Sequence, residues 1–248
     1  MDILVCIDDT DNLESIGTGK LAAIMCDAIE KNHWGICRPI TRHQMFVHPD
    51  IPYTSHNSAM CFVAEIGREF LHPFTVFAQS FLARESAPGS DPGLCIIKRD
   101  SIIDPDALMA FGKKAKSFVV TKEEAYGIAR YLNVHLSEHG GTGQGIIGAL
   151  AGCGLRLGGD DGRIRGHFHV TATDGSLRVD ELIQQTGVDV VKGLDGARLR
   201  GQDIVRIGEK IKAVFKDHKL TLLVCADMEN QVGDMNWRTC TKDQLRSF

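Results

Sequence analysis

Asp8, Asp9 and Asp11 follow directly on the apolar run Ile3-Leu4-Val5-Cys6-Ile7, and Ser15-Ile16-Gly17-Thr18-Gly19-Lys20 comes shortly behind. Hard divalent cations such as magnesium take oxygen ligands and commonly bridge one or two carboxylates to substrate phosphates. Three acids crowded at a strand end repel one another unless a cation joins them, which favours a metal site over three turn-forming aspartates. Alternation along an extended chain would set Asp9 and Asp11 on one face and Asp8 on the other. Leu21, Ile24, Met25, Ala28 and Ile29 give the helix that follows its apolar stripe, with Thr18 as the expected N-cap. The backbone N–H groups from Gly17 through Gly19 then form a helix start that attracts phosphate, and Lys20 adds a positive charge there. Glu14 stands where a P-loop would place its first glycine, so this is no Walker motif. The residue types suit a nucleotide-handling enzyme.

The elements that position these residues belong to an ordinary globular chain. Its 248 residues can bury one large core or two modest ones, and the apolar and charged fractions are typical. A net charge of −4 gives no global attraction for nucleic acid. The densest cationic cluster, Lys113, Lys114 and Lys116, reads as a solvated face. No stretch is long and apolar enough to span a bilayer, and a cytoplasmic protein without membrane contact is expected. The eight cysteines are scattered without a C-x-x-C pair, so they read as buried thiols rather than a zinc or iron–sulfur site.

Strands are expected over 35–47 and 57–66, joined by a stiff proline-containing segment, then a helix over 70–84 and a strand over 94–98. Pro105 starts a helix to about Lys116, and apolar spacing continues helical from Lys122 to Leu136. The stretch at about 67–118 is a candidate inserted lobe. Gly143, Gly145 and Gly148 fit G-x-G-x-x-G, but a helix rather than a strand is expected ahead of them, which argues against a Rossmann turn. Phosphate approach and tight helix packing are equally good accounts of these glycines. Further on, 163–170 alternates as a strand with His167 and His169 on one face, a structural pair lacking a third ligand. A helix over about 201–215 and a strand over 220–226 complete the chain.

In order, Ile7-Asp8-Asp9-Thr10-Asp11, Pro49-Asp50-Ile51-Pro52-Tyr53 with Asn57, Asp91-Pro92-Gly93 and the block Gly143-Gln144-Gly145-Ile146-Ile147-Gly148-Ala149-Leu150-Ala151 resemble the archaeal tRNA-isoleucine 2-agmatinylcytidine synthetase family. In that family a kinase-like domain uses ATP to phosphorylate the wobble cytidine of a tRNA, agmatine then displaces the phosphate, and a ferredoxin-like domain accompanies it. The resemblance implies a mixed α/β fold: a kinase-like core over 1–157 and a ferredoxin-like or accessory α/β domain over 158–248. It also implies ATP and Mg2+ as cofactors, with Asp8, Asp9 and Asp11 holding the metal and orienting the attacking oxygen. Thr18 belongs with them at the phosphates, where Thr10, Gly17, Gly19, Lys20, Gly143, Gln144 and Gly145 would bind the nucleotide; His56 and Asn57 are the substrate candidates.

Departures shape the expectation. The family's Gly-Met-Cys-Thr-Thr is here Ser15-Ile16-Gly17-Thr18-Gly19, and an arginine between the later glycines is here Gln144. A short form without the family's OB-fold and zinc ribbon is expected. The leading expectation is therefore an ATP-dependent phosphotransferase acting on an unidentified small-molecule or nucleoside-like acceptor. The alternatives are tRNA wobble-cytidine modification with a separate tRNA-binding partner, and a non-catalytic nucleotide-binding module. A homo-oligomer is compatible with all three.

Overall fold

The computed structural model describes residues 1–51, 57–227, 237–246 and 248. The chain divides into two compact units, Met1–Gly158 and Gly159–Phe248. The fold class is the mixed α/β one that the sequence implies.

The first unit is built around β1 (Asp2–Asp8), whose six residues from Ile3 onward are all buried. Along it α1 (Thr18–Lys31), β2 (Gly35–Cys37), β3 (Thr41–Gln44), β4 (Ser58–Ile66), α2 (Leu71–Glu85) and β5 (Gly93–Lys98) follow. Then come α3 (Pro105–Ala115), α4 (Lys122–Leu132), β6 (His135–Glu138) and α5 (Gly145–Gly158). The strands form an antiparallel sheet in the order β6-β5-β1-β4-β3, with β2 also on β4. Alternation assigns each side of β1 to its own core. Ile3, Val5 and Ile7 pack under α1 and α2, with Phe62, Phe74 and Leu82. Leu4 and Cys6 pack under α3, α4 and α5, with Cys61, Leu108 and Leu150. A strand covered on both faces reads as a continuous apolar run, which is why 3–7 carries no polar residue.

Residues 67–118 are not a lobe inserted into this unit. Their strand β5 pairs with β1 along Ile3 to Asp8, and α3 packs on α5 through Gly112 and Gly154, where an added Cβ would meet backbone. The helix expected over 122–136 stops at Leu132. Asn133 caps it in the left-handed conformation, φ 52°, and His135–Glu138 then pairs with β5. A strand therefore does precede the second glycine loop, yet as an antiparallel edge it lacks the parallel βαβ setting of a Rossmann turn.

The second unit comprises β7 (Arg163–Ile164), β8 (Ser176–Arg178), α6 (Val179–Thr186), β9 (Val190–Gly193), β10 (Ile204–Arg206), β11 (Ala213–Lys216), β12 (Lys219–Ala226) and β13 (Trp237–Thr239). Its sheet runs β7-β11-β12-β13-β10-β8, with β9 parallel to β12. The expected helix over 201–215 is instead two strands interrupted at Gly208. Ile204, Val205 and Val214 are β-branched, and pairing with β8, β13 and β12 outweighs their helical spacing. The strand expected over 163–170 is short, continued only by a bridge between Phe168 and Ile211.

Candidate active site

The strand run ends at Asp8, and Asp9 turns out of it with φ 50°. A non-glycine residue in the left-handed region carries local strain, a condition that clusters at functional sites. This turn cancels the two-face alternation expected for the acids. Asp8, Asp9 and Asp11 all line one cleft of about 690 Å³ in the first unit. Gly17, Thr18 and Gly19 line it too, as do Gln144, Gly145 and Gly148 from the second glycine segment and Asn57. Two glycine-bearing helix starts, far apart in sequence, thus face the same space.

The acids are poorly solvated and close in charge. Burial first, then the neighbouring Asp9 and Asp11 carboxylates, push Asp8 up to about 8. Burial, Asp91 and Asp11 push Asp9 up to about 6. Two carboxyls that resist ionisation side by side gain most from an arriving cation. The donor set is all oxygen, which fits magnesium-class ions. Among the described residues the carboxylates do not converge into a ready-made cage. That arrangement suits a metal that shares its shell with phosphate oxygens rather than an all-protein site.

Thr18 is the first residue of α1 rather than its cap; Gly17 holds the N-cap position, extended at φ −61° and ψ 156°. The Thr18 hydroxyl donates to Asp11 Oδ1 at 2.9 Å and accepts from Thr10 Oγ1 at 3.0 Å. Thr10 is fully buried and outside the cleft lining, so it positions Thr18 from behind. Lys20 is exposed and also outside the lining, one position further around the helix than a cleft residue would be. The cations at the cleft are instead Arg42 and Lys122. Arg42 Nε donates to Ser58 Oγ at 2.9 Å, and Lys122 ties the cleft wall to the second loop through Thr142 O at 2.6 Å and Glu138 at 2.8 Å.

Asp91 organises that loop. It accepts from Thr142 N at 2.6 Å, from the Thr142 hydroxyl, and from Gln144 N at 3.4 Å. Gly145 N donates to Asp91 O at 3.0 Å. In the sequence, Asp91-Pro92-Gly93 stands out only as a matched motif. Gly143, at φ 77°, lies against Glu138 rather than in the cleft lining, and a Cβ there would overlap that side chain. Gly148 is where α5 passes Asp8: an added Cβ would overlap the Asp8 carboxylate. Asn57 is tied to Phe46 O at 2.6 Å. His56, with the rest of 52–56, lies outside the described residues. His167 and His169, with rings 4.5 Å apart, gain no third ligand among the described residues.

Fold and cleft together define a class: a mixed α/β protein whose first unit carries an acid- and glycine-lined cleft. In sequence the chain is similar to the isoleucine-tRNA 2-agmatinylcytidine synthetase TiaS of Methanosarcina acetivorans, 26% identical over 159 residues. Those residues are 62% of this chain and 36% of that relative, so the chain matches little more than a third of the relative's length. The chain is similar in structure to a tRNA fluorescent labeling enzyme, with 25% identity and a TM-score of 0.53. It is likewise similar to TiaS in a complex with its isoleucine tRNA and ATP, with 24% identity and a TM-score of 0.54. Each match covers 62% of this chain and 36% of the other. No family model matches the chain. The chain is thus similar, over 62% of its length, to the synthetases its motifs resemble.

Proposed function

We propose that the chain is an ATP-dependent phosphotransferase that activates a nucleoside of tRNA, working with a separate tRNA-binding partner. The observation that carries this reading is the convergence of Asp8, Asp9, Asp11 and Thr18 with the Gln144–Gly148 helix start in one cleft. Similarity to a synthetase whose solved complex holds an isoleucine tRNA and ATP supports tRNA over the free small-molecule acceptor expected from sequence.

Phosphoryl transfer asks a protein chiefly for positioning and charge stabilisation. The helix start at Thr18 directs backbone N–H groups to the triphosphate, while the second helix start, its Gln144 and Gly145 N–H groups bound to Asp91, shapes the opposite wall. Asp8, Asp9 and Asp11 would hold magnesium, which neutralises charge on the transferring group. Thr18, fixed between Thr10 and Asp11, keeps its oxygen at the phosphates. Arg42 faces the same space and takes the cationic role that Lys20 cannot reach. The γ-phosphoryl group moves from ATP to a base oxygen, ADP leaves, and an amine then displaces the phosphate.

The test is transfer of label from γ-labelled ATP to tRNA transcripts, with and without agmatine, in extract-supplemented and purified reactions. Labelled tRNA that disappears on adding agmatine is expected from the wild type and absent with Asp9→Ala. Labelling of free nucleosides but never of tRNA would overturn the tRNA assignment, and tight ATP binding with no product would leave only a nucleotide-binding module.

A further inference from the structure

The scattered cysteines are not scattered in space. Cys6 on β1 stands directly opposite Cys61 on β4 and directly opposite Cys95 on β5. Residues paired across a sheet share a face, so three thiols form a row beneath α5. Cys153 descends on them from that helix, and all four are fully buried. The sulfurs of Cys6, Cys61 and Cys153 lie within 4.8 Å of one another. Strand spacing of about 4.8 Å places Cys95 two strands from Cys61, beside the triangle rather than in it.

We propose that Cys6, Cys61 and Cys153 form a binding site for a thiophilic cation of zinc's class, with Cys95 the nearest sulfur to complete a fourth position. Metal–sulfur distances of about 2.3 Å set sulfurs about 4 Å apart, so a triangle within 4.8 Å needs to tighten only slightly around a common centre. The site is distinct from the acid cleft in ligand chemistry: soft sulfur selects zinc or copper(I), whereas carboxylates select magnesium. One further feature fits the site. Gly152 faces Cys6, and any Cβ there would overlap its sulfur, so α5 leaves the sulfur layer its full space. Binding releases the thiol protons, and with all four thiols buried the cation enters as α5 docks on the sheet.

The experiment is metal analysis of the full chain expressed with zinc supplementation, together with refolding from denaturant in zinc, cobalt(II) or chelator. About one equivalent of zinc surviving gel filtration in EDTA is expected, with thiolate-to-cobalt charge-transfer absorption in the cobalt-refolded protein. Cys61→Ala and Cys153→Ala should lose at least roughly tenfold in retained zinc while keeping the circular dichroism of the wild type. Cys26→Ala, at a thiol outside the cluster, should retain it. If either cluster variant fails to fold, the cobalt spectrum of the wild type decides alone. Wild-type protein without thiolate-bound metal after both routes, or metal retained equally in the cluster variants, would overturn the site and leave four thiols packed as small apolar side chains.

Discussion

Asp8 and Cys6 sit two residues apart on β1, point at the same helix, and live under opposite rules. Two residues along a strand span about 6.8 Å and four along a helix about 6 Å, so Asp8 meets Gly148 while Cys6 meets Gly152. The packing device is one and the same: a glycine removes its Cβ so that a functional atom fits beneath α5. The surroundings differ. Asp8 opens onto a cleft shared with Asp9, Asp11 and two helix starts. Cys6 is sealed among other thiols, and burial holds Cys6 and Cys153 well above the ordinary thiol range. One strand thus grades from a sealed sulfur layer to an open oxygen site, and only the open end is accessible to a substrate.

The sharpest way to break this contrast is at the open end. Asp9→Ala should lower the rate of phosphoryl transfer by roughly a thousandfold or more, because charge stabilisation at the transferring group is a dominant contribution. The folded baseline should survive, since Asp9 lies past the end of β1 and leaves the sheet pairing intact. Initial rates beside thermal melts check both halves, and a variant within about tenfold of wild type would remove Asp9 from the chemistry.

Next comes the shared device itself. Gly148→Ala pushes on the Asp8 carboxylate and Gly152→Ala on the Cys6 sulfur. Each should destabilise by about 1–3 kcal/mol through overpacking, partly offset by about 1 kcal/mol of helix propensity. Only Gly148→Ala should also depress activity at saturating ATP, because it displaces a cleft acid. Equal activity loss in both variants would mean that α5 moves as a rigid body and that the two ends are not separable.

How much of this was legible in the sequence depends on distance along the chain. Asp8, Asp9, Asp11 and Thr18 were readable because their chemistry is local: a strand end, a tight turn and a helix start in close succession. The two-face assignment failed because alternation was carried past the strand end into the Asp9 turn. Asp91 and Arg42 were missed for another reason. Arg42 reaches the cleft from β3 and Asp91 holds the second loop from just ahead of β5, and a lone Asp before Pro or a lone Arg in a polar strand carries no periodic signal. The thiol row escaped for the same cause: it exists only in the register of β4-β1-β5, which no C-x-x-C spacing encodes. The helix read into 201–215 shows the reverse error, where apolar spacing compatible with a helix belonged to β-branched residues recruited by strand neighbours.

Asp91 tests whether positioning at a distance matters as much as the acids themselves. Asp91→Asn replaces an acceptor-only carboxylate with an amide that can still accept one bond but cannot hold Thr142 N, the Thr142 hydroxyl and Gln144 N together. The second loop should loosen, raising KM for ATP by about tenfold with a smaller change in kcat, as expected for lost ground-state binding. An effect confined to kcat would place Asp91 at the reacting group instead.

The smallest effect is on stability, and it separates the two ends by charge. With chelator present, Asp8 holds its proton up to about pH 8, whereas the same carboxyl in the unfolded chain releases it near 3.8. Below that lower value both forms are protonated and the group contributes no pH dependence. As pH rises between the two values the unfolded chain sheds the proton and the folded one does not, so folding stability falls and the full penalty stands above about pH 8. Asp9, raised to about 6, adds to the same fall over the lower part of the window. Asp8→Asn keeps the shape of the protonated acid and has nothing to ionise. In EDTA at about pH 8 it should therefore melt on the order of 5 °C above wild type, a gap that closes toward about pH 4. Magnesium should stabilise the wild type more than the variant, narrowing the gap from the other side. A difference independent of pH would mean that Asp8 is ionised in the folded protein without a cation, and the open end of β1 would then owe its charge to protein partners rather than to a bound metal.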